Sequence, residues 1–255
     1  MAEQFPKPES EEERGGLHRL LTYENPNLSR YQLLIEREFG EKRHQYGQEF
    51  AHQWCPVFHN RYGKGEAEFE PEDYKKVLPY LKLRLQGQLL IDLGGNLSKQ
   101  GVMVQLAKKC GATSYINVDT EYVPKGTLPF GDNYDPYRGM KRDDTYPLLS
   151  EAERKREMLA LNVQADMLNF TARLPHNSAN FVMNGIDFDI VEKPEYWNAL
   201  EEEITRATRV GGVLFGYGSE MMHFHFDPHW RSVGEELEFD DGSTYIQQKI
   251  FERVA

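Results

Sequence analysis

The segment Leu89-Leu90-Ile91-Asp92-Leu93-Gly94-Gly95-Asn96 constrains this chain more than any other. The apolar run Leu89 to Leu93 meets a Gly-Gly turn, and the polar tract Asn96 to Gly101 follows. The helical pattern Val102 to Cys110 comes next, with Gly111 as its stop. A short apolar run bounded by glycine reads as a buried strand. A buried strand that ends in a glycine turn and feeds a helix leaves a nucleoside-sized notch at the strand end. Glycine lets backbone approach a ligand closely, and the amides of the first helical turn point into the notch.

Downstream, strand and helix alternate. A second strand spans Ser114 to Asp119. Residues 122–148 are rich in Tyr, Pro, Gly and Asp and show no clean period, which reads as a lid, a binding loop or a peripheral insert. Ser150 with Glu153 makes a capping box opening a helix to about Leu161. A short third strand is expected at Val163 to Ala165 and a fourth at Phe181 to Met183. Pro194 starts an amphipathic helix with Trp197, Leu200, Ile204 and Ala207 on one face and Glu201, Glu202 and Glu203 on the other. Gly211-Gly212 ends it, and Val213 to Gly216 is a fifth strand. Two further β-like runs, Glu236 to Phe239 and Tyr245 to Val254, flank Asp240-Asp241-Gly242-Ser243, a hairpin signal. The order gives a doubly wound, mostly parallel α/β sheet with a C-terminal antiparallel hairpin.

Upstream, residues 29–54 read as one long helix or two abutting ones. Ser29 is the N-cap, and Ile35, Phe39, Tyr46, Phe50 and Trp54 recur at helical spacing. Pro71 opens another helix through Tyr74, Val77 and Leu78, with Pro79 as its kink or stop. The expected organisation is a disordered tail (1–16), a helical N-terminal cap (17–85) and an α/β domain (86–255). The formal charge of −11 argues against a nonspecific nucleic-acid binder, which needs a basic face. Two cysteines, Cys55 and Cys110, are too few for a disulfide framework or a cysteine zinc site and suit a reducing, cytoplasmic setting. No run approaches the roughly 18 apolar residues of a membrane span.

In a doubly wound sheet a ligand lies outside the carboxyl ends of the strands. Four strand ends here carry polar residues: Asp92 with Gly94, Gly95 and Asn96; Asp119; Asp166 with Met167; and Asn184-Gly185-Ile186-Asp187. Asp119, twenty-five residues beyond Gly94, can accept both hydroxyls of a ribose. Asp166 can accept an exocyclic amine while Met167 lies against a purine face. For any one of these, the bland reading is a turn former or helix cap. It is their ordered recurrence that points to a site.

These residues resemble the motifs of the class I S-adenosylmethionine-dependent methyltransferases, over roughly residues 85–255. Leu90 to Gly95 looks like the family's first motif, and Ile116-Asn117-Val118-Asp119 is similar to the second. Gln164 to Met167 looks like the adenine-side motif. Phe181 to Gly185 is similar to the fourth strand, and Thr208 to Leu214 to the turn before strand five. The terminal hairpin matches the antiparallel strand that separates this family from nicotinamide dehydrogenases.

The resemblance implies a seven-stranded sheet and S-adenosyl-L-methionine as cofactor, held by Asp92, Gly94, Gly95, Asn96, Asp119, Asp166, Met167 and Asn184. It implies a methyl acceptor that is a small molecule or a protein side chain. A catalytically silent binding or scaffold protein on the same fold is the alternative. The chain departs from the first motif at Asn96 and Ser98, where the family has glycines. Asn tolerates a left-handed backbone, whereas Ser98 sets a hydroxyl where the methionine part of the cofactor would lie.

Asn184 and Asp187, leaving the fourth strand, are the candidate catalytic residues, with a loop or capping role as the rival reading for Asp187. Met221 to His229 invites a metal reading through His223, His225 and Asp227 or His229. The segment follows strand five, on the rim where acceptors sit, and no metal is assigned.

Overall fold

A computed structural model describes residues 17, 19–40, 51–54, 77–94, 103, 106–120, 159–183, 186, 188–217, 228–233, 239–240 and 247–255. The first element, α1 (Leu28–Phe39), turns Tyr31, Leu34 and Ile35 inward and stops at Gly40, whose φ of 83° is a left-handed value open to glycine. A strand, β1 (Ala51–Trp54), and a helix, α2 (Leu78–Leu85), precede the centre of the sheet. Then come β2 (Leu89–Leu93), β3 (Ser114–Asp119), β4 (Leu159–Gln164), α3 (Met167–Thr171) and β5 (Ala179–Met183). The described elements finish with α4 (Phe188–Val191), α5 (Pro194–Ala207), β6 (Val213–Tyr217), β7 (Trp230–Ser232), β8 (Phe239–Asp240) and β9 (Gln247–Arg253).

Among the described residues these strands form one sheet in the order β1-β4-β3-β2-β5-β6-β9-β7, with β8 paired to β9. The run from β4 to β6 is parallel. Strand β9 lies antiparallel between β6 and β7. The expected doubly wound, mostly parallel sheet with an antiparallel C-terminal part is therefore present. Its seven strands are extended by β1 at one edge and by β8. Winding reverses at β2, with β3 and β4 on one side and β5 and β6 on the other.

Both faces of the sheet are covered, and so β2 and β5 are buried at every position. Successive strand residues alternate between two cores. Leu89, Ile91 and Leu93 face α1, α3 and α5. Leu90 joins Leu81 and Leu85 of α2 and the helical residues Leu106 and Ala107.

The structure corrects several expectations upstream and at the sheet edges. The helix read over 29–54 ends at Phe39, its N-cap is Asn27 rather than Ser29, and residues 51–54 pair antiparallel with β4. Pro79 sits in the first turn of α2, where its missing N–H costs no hydrogen bond, and so it opens the helix instead of ending it. The helix expected to reach Leu161 gives way to β4 by Leu159. The tail 1–16 and the segment 122–148 lie outside the described residues, as do Ser150 and Glu153.

Glu203, expected on the polar face of α5, is only 4% exposed. Its Oε1 accepts hydrogen bonds from Asn25 Nδ2 (2.8 Å) and the Tyr31 hydroxyl (2.9 Å), and its Oε2 from Arg206 Nε (2.6 Å). Arg206 also donates to the carbonyls of Leu174 (2.7 Å) and Thr171 (3.1 Å), and its guanidinium lies 4.2 Å from the Tyr23 ring centroid. Asn25 reaches the Ala172 carbonyl at 3.0 Å. Through this cluster the N-terminal segment is fixed to the ends of α3 and α5.

Burial pushes the Cys110 thiol up to about 12 from 9.0. Burial, with the Glu252 carboxylate beside it, pushes the Tyr80 phenol up to about 12 from 10.0. Burial and then Glu203 also raise Tyr31. These groups keep their protons in the folded chain after the unfolded chain has lost them. Stability present below the unfolded values is lost as pH climbs toward the folded ones. The urea midpoint is therefore expected to fall steadily from pH 9 to 12, and Cys110→Ala should make the early part of that fall shallower. A midpoint flat across this window would contradict the expectation.

Candidate functional site

The carboxyl ends of β2, β3 and β4 lie side by side and are tied together through the main chain. Gly94, immediately after β2, has φ of 69° and donates its N–H to the Val118 carbonyl at 2.9 Å. A side chain there would meet left-handed strain, and so glycine is required by the turn itself. Asp119 closes β3 and is partly exposed. Its carbonyl accepts from Ala165 N (2.9 Å), and Gln164 Nε2 donates to the Thr120 carbonyl (2.9 Å).

Asp92 and Asp166 are placed at this rim but turned inward. Asp92 is fully buried, stands opposite Asn117 in the register, and accepts the Tyr115 hydroxyl at 2.7 Å. It sits beneath the glycine turn, on the same face of β2 as Leu90. Asp166 is also fully buried. Its Oδ1 caps α3 by accepting from Leu168 N (3.0 Å) and Asn169 N (3.2 Å). The Tyr196 hydroxyl donates to the same carboxylate, at 3.1 Å from Oδ1 and 2.9 Å from Oδ2. Met167 is 4% exposed and packs in the core. Asp166 thus takes the helix-capping role that the sequence left open beside the adenine role.

Five of the expected residues, Asp92, Gly94, Asp119, Asp166 and Met167, are therefore gathered on three neighbouring strand ends. Of these, Gly94 and Asp119 are the ones not buried. Gly95, Asn96, Ser98, Asn184 and Asp187 lie outside the described residues. Strand β5, which leads to Asn184, is crowded by Gly216 of β6, where a Cβ would overlap the Met183 carbonyl oxygen. His229 is exposed, and no three metal-binding side chains converge among the described residues. His223, His225 and Asp227 fall outside them. No helix of the described residues is long and apolar enough to cross a membrane.

Tyr115 and Tyr196, which hydrogen-bond Asp92 and Asp166, are partners of the candidate residues that sequence reading missed. Tyr115 hides in an apolar strand. Tyr196 had a usable signal: Tyr196, Leu200, Glu203 and Ala207 recur at spacings of four and three, and so one stripe of α5 carries two polar groups inward.

No family model and no curated protein matches the chain. It is similar to many solved structures, three of which illustrate the likeness. The first is an rRNA methylase from Streptococcus thermophilus, at 10% identity over 70% of this chain and 94% of that one, with a TM-score of 0.40. The second is the N-methyltransferase NodS from Bradyrhizobium japonicum WM9, at 10% identity over 74% and 99%, with a TM-score of 0.42. The third is SMU.1697c from Streptococcus mutans, solved in complex with SAH, at 9% identity over 72% and 98%, with a TM-score of 0.42. The strand order of the chain itself gives the architecture: a doubly wound sheet closed by an inserted antiparallel strand, as the resemblance to class I methyltransferases implies.

Proposed function

We propose that this protein is a methyltransferase that binds S-adenosyl-L-methionine across the carboxyl ends of β2, β3 and β4 and methylates a small molecule or a protein side chain. The observation that carries the reading is the left-handed Gly94 turn beside the partly exposed Asp119, at the strand where winding reverses. Adjacent strands lie about 4.8 Å apart, which suits a nucleoside whose ribose reaches one strand end while its remainder follows the next. The residues fit the group: a carboxylate can accept two ribose hydroxyls, and a glycine turn admits close approach.

When bound, the cofactor supplies a methyl group on a sulfonium, open to displacement by a nucleophile. In this reading Gly94, Gly95 and Asn96 bound the methionine side, and Asp119 orients the ribose. Asp166 and Met167 form the adenine-side wall. Asn184 and Asp187, which follow β5 in the sequence, are assigned to position the acceptor. Alignment of this kind lowers a barrier by about 7–11 kcal/mol, and a base is needed only where the acceptor arrives protonated.

Calorimetric titration with S-adenosylmethionine, S-adenosylhomocysteine and NAD tests the proposal. Micromolar binding of the first two is expected. Binding of NAD alone would reassign the fold to an oxidoreductase, and silence toward all three would remove the cofactor reading. Transfer of labelled methyl to small-molecule, protein and RNA pools then separates acceptors. Binding without transfer to any pool would favour the silent scaffold. One of the similar structures is named for rRNA, but the charge of −11 on this chain favours the other two pools.

A further inference from the structure

Tyr196 has no place in the motifs that suggest the cofactor, yet its hydroxyl is bonded to both oxygens of Asp166. The same hydroxyl lies 3.4 Å from Leu168 N, one of the two amides that Asp166 caps. One residue, Ala165, separates this lock from the end of β3, because its N–H is bonded to the Asp119 carbonyl at 2.9 Å. A hydroxyl on α5 thus fixes a carboxylate after β4, which fixes a turn joined to the residue assigned to the ribose.

Tyr196 is itself held from the N-terminal side. The Phe39 ring stands edge-on to it, with centroids 4.9 Å apart and planes at 82°. Around this contact, Arg37 pairs with Glu195 at 2.9 Å and Lys193 approaches Glu38 at 3.7 Å. The last turn of α1 is therefore fastened to the turn of α5 that carries Tyr196.

We infer that Tyr196 is a positioning residue for the adenosine half of the cleft: it orients Asp166 so that the turn Ala165-Asp166-Met167 stands in register with Asp119, and Phe39 of α1 braces it. The inference rests on the cofactor reading above. Because Asp166 is fully buried, its carboxylate shapes the wall rather than touching the nucleoside.

Tyr196→Phe keeps the ring and removes the lock. It is expected to raise the Kd of S-adenosylhomocysteine on the order of tenfold, the effect of one lost hydrogen bond to a charged group. It should raise the Kd of 5′-methylthioadenosine, the nucleoside portion alone, by the same factor. In turnover the KM for S-adenosylmethionine rises while kcat at saturation stays near wild type. Tyr31→Phe, which removes a buried hydroxyl at the other end of α1, controls for lost stability and should leave both affinities unchanged. If Tyr196→Phe does not fold, Phe39→Leu keeps the hydroxyl and loosens its brace, with a smaller shift in the same direction.

Wild-type binding with an unchanged Kd in the variant that folds would overturn this inference and leave the cofactor reading standing. So would equal losses in Tyr31→Phe and Tyr196→Phe. A wild-type protein that binds neither nucleoside overturns both.

Discussion

Glu203→Ala should lower the unfolding free energy by about 3–5 kcal/mol, the loss found when one member of a buried ion pair is removed. The carboxylate accepts from Asn25, Tyr31 and Arg206, at distances between 2.6 and 2.9 Å. Alanine would leave a half-buried guanidinium without its counter-charge and two buried donors without their acceptor. At about 2–4 °C per kcal/mol for a chain of this size, the melting temperature should drop by roughly 10 °C. Thermal melts followed by circular dichroism read this directly. Glu203→Gln retains an acceptor for Asn25 and Tyr31 and should lose less. Glu202→Ala, one residue away and exposed, should be nearly silent. A Glu203→Ala melt within a degree of wild type would show that the network contributes little to docking α1.

Asp119→Ala carries the largest expected effect on binding. If, as proposed, Asp119 accepts both ribose hydroxyls, its removal should cost about 1.5–3 kcal/mol, which is roughly a 10- to 150-fold rise in the Kd of S-adenosylmethionine. Asp119→Asn keeps one acceptor oxygen and should fall between that variant and wild type. Calorimetry on the three proteins gives the order, and an unchanged affinity in the alanine variant would place the cleft elsewhere.

The middle of the sheet was legible because its strands are buried along most of their length. Leu89 to Leu93 and Ser114 to Asp119 match β2 and β3 residue for residue: the first is a largely apolar run cut off by Gly94, and the second sets Tyr115, Ile116 and Val118 between Gly111 and Asp119. The edges were not. Ala51-His52-Gln53-Trp54 has weak strand propensity and is a strand because β4 offers an open ladder beside it. Leu159 to Leu161 is apolar enough for either a helix end or a strand, and pairing with β3 decides it. Trp230 to Ser232, with two polar residues in three, carries no alternation and was missed. At the site, the positions of Gly94 and Asp119 were readable. That Asp92 and Asp166 turn inward depends on two tyrosines, one of them 30 residues away along the chain.

The partners of Asn25 and Tyr31 lie 147 to 178 residues further along the chain. At ribosomal speeds of about 5–20 residues per second, α1 leaves the exit tunnel roughly 10–35 s before α5 exists to receive it. During that interval a nascent chain shows Tyr31, Leu34 and Ile35 to solvent or to a chaperone. Seating of the leading helix is then a late event in biogenesis, timed by translation of the distal half of the message.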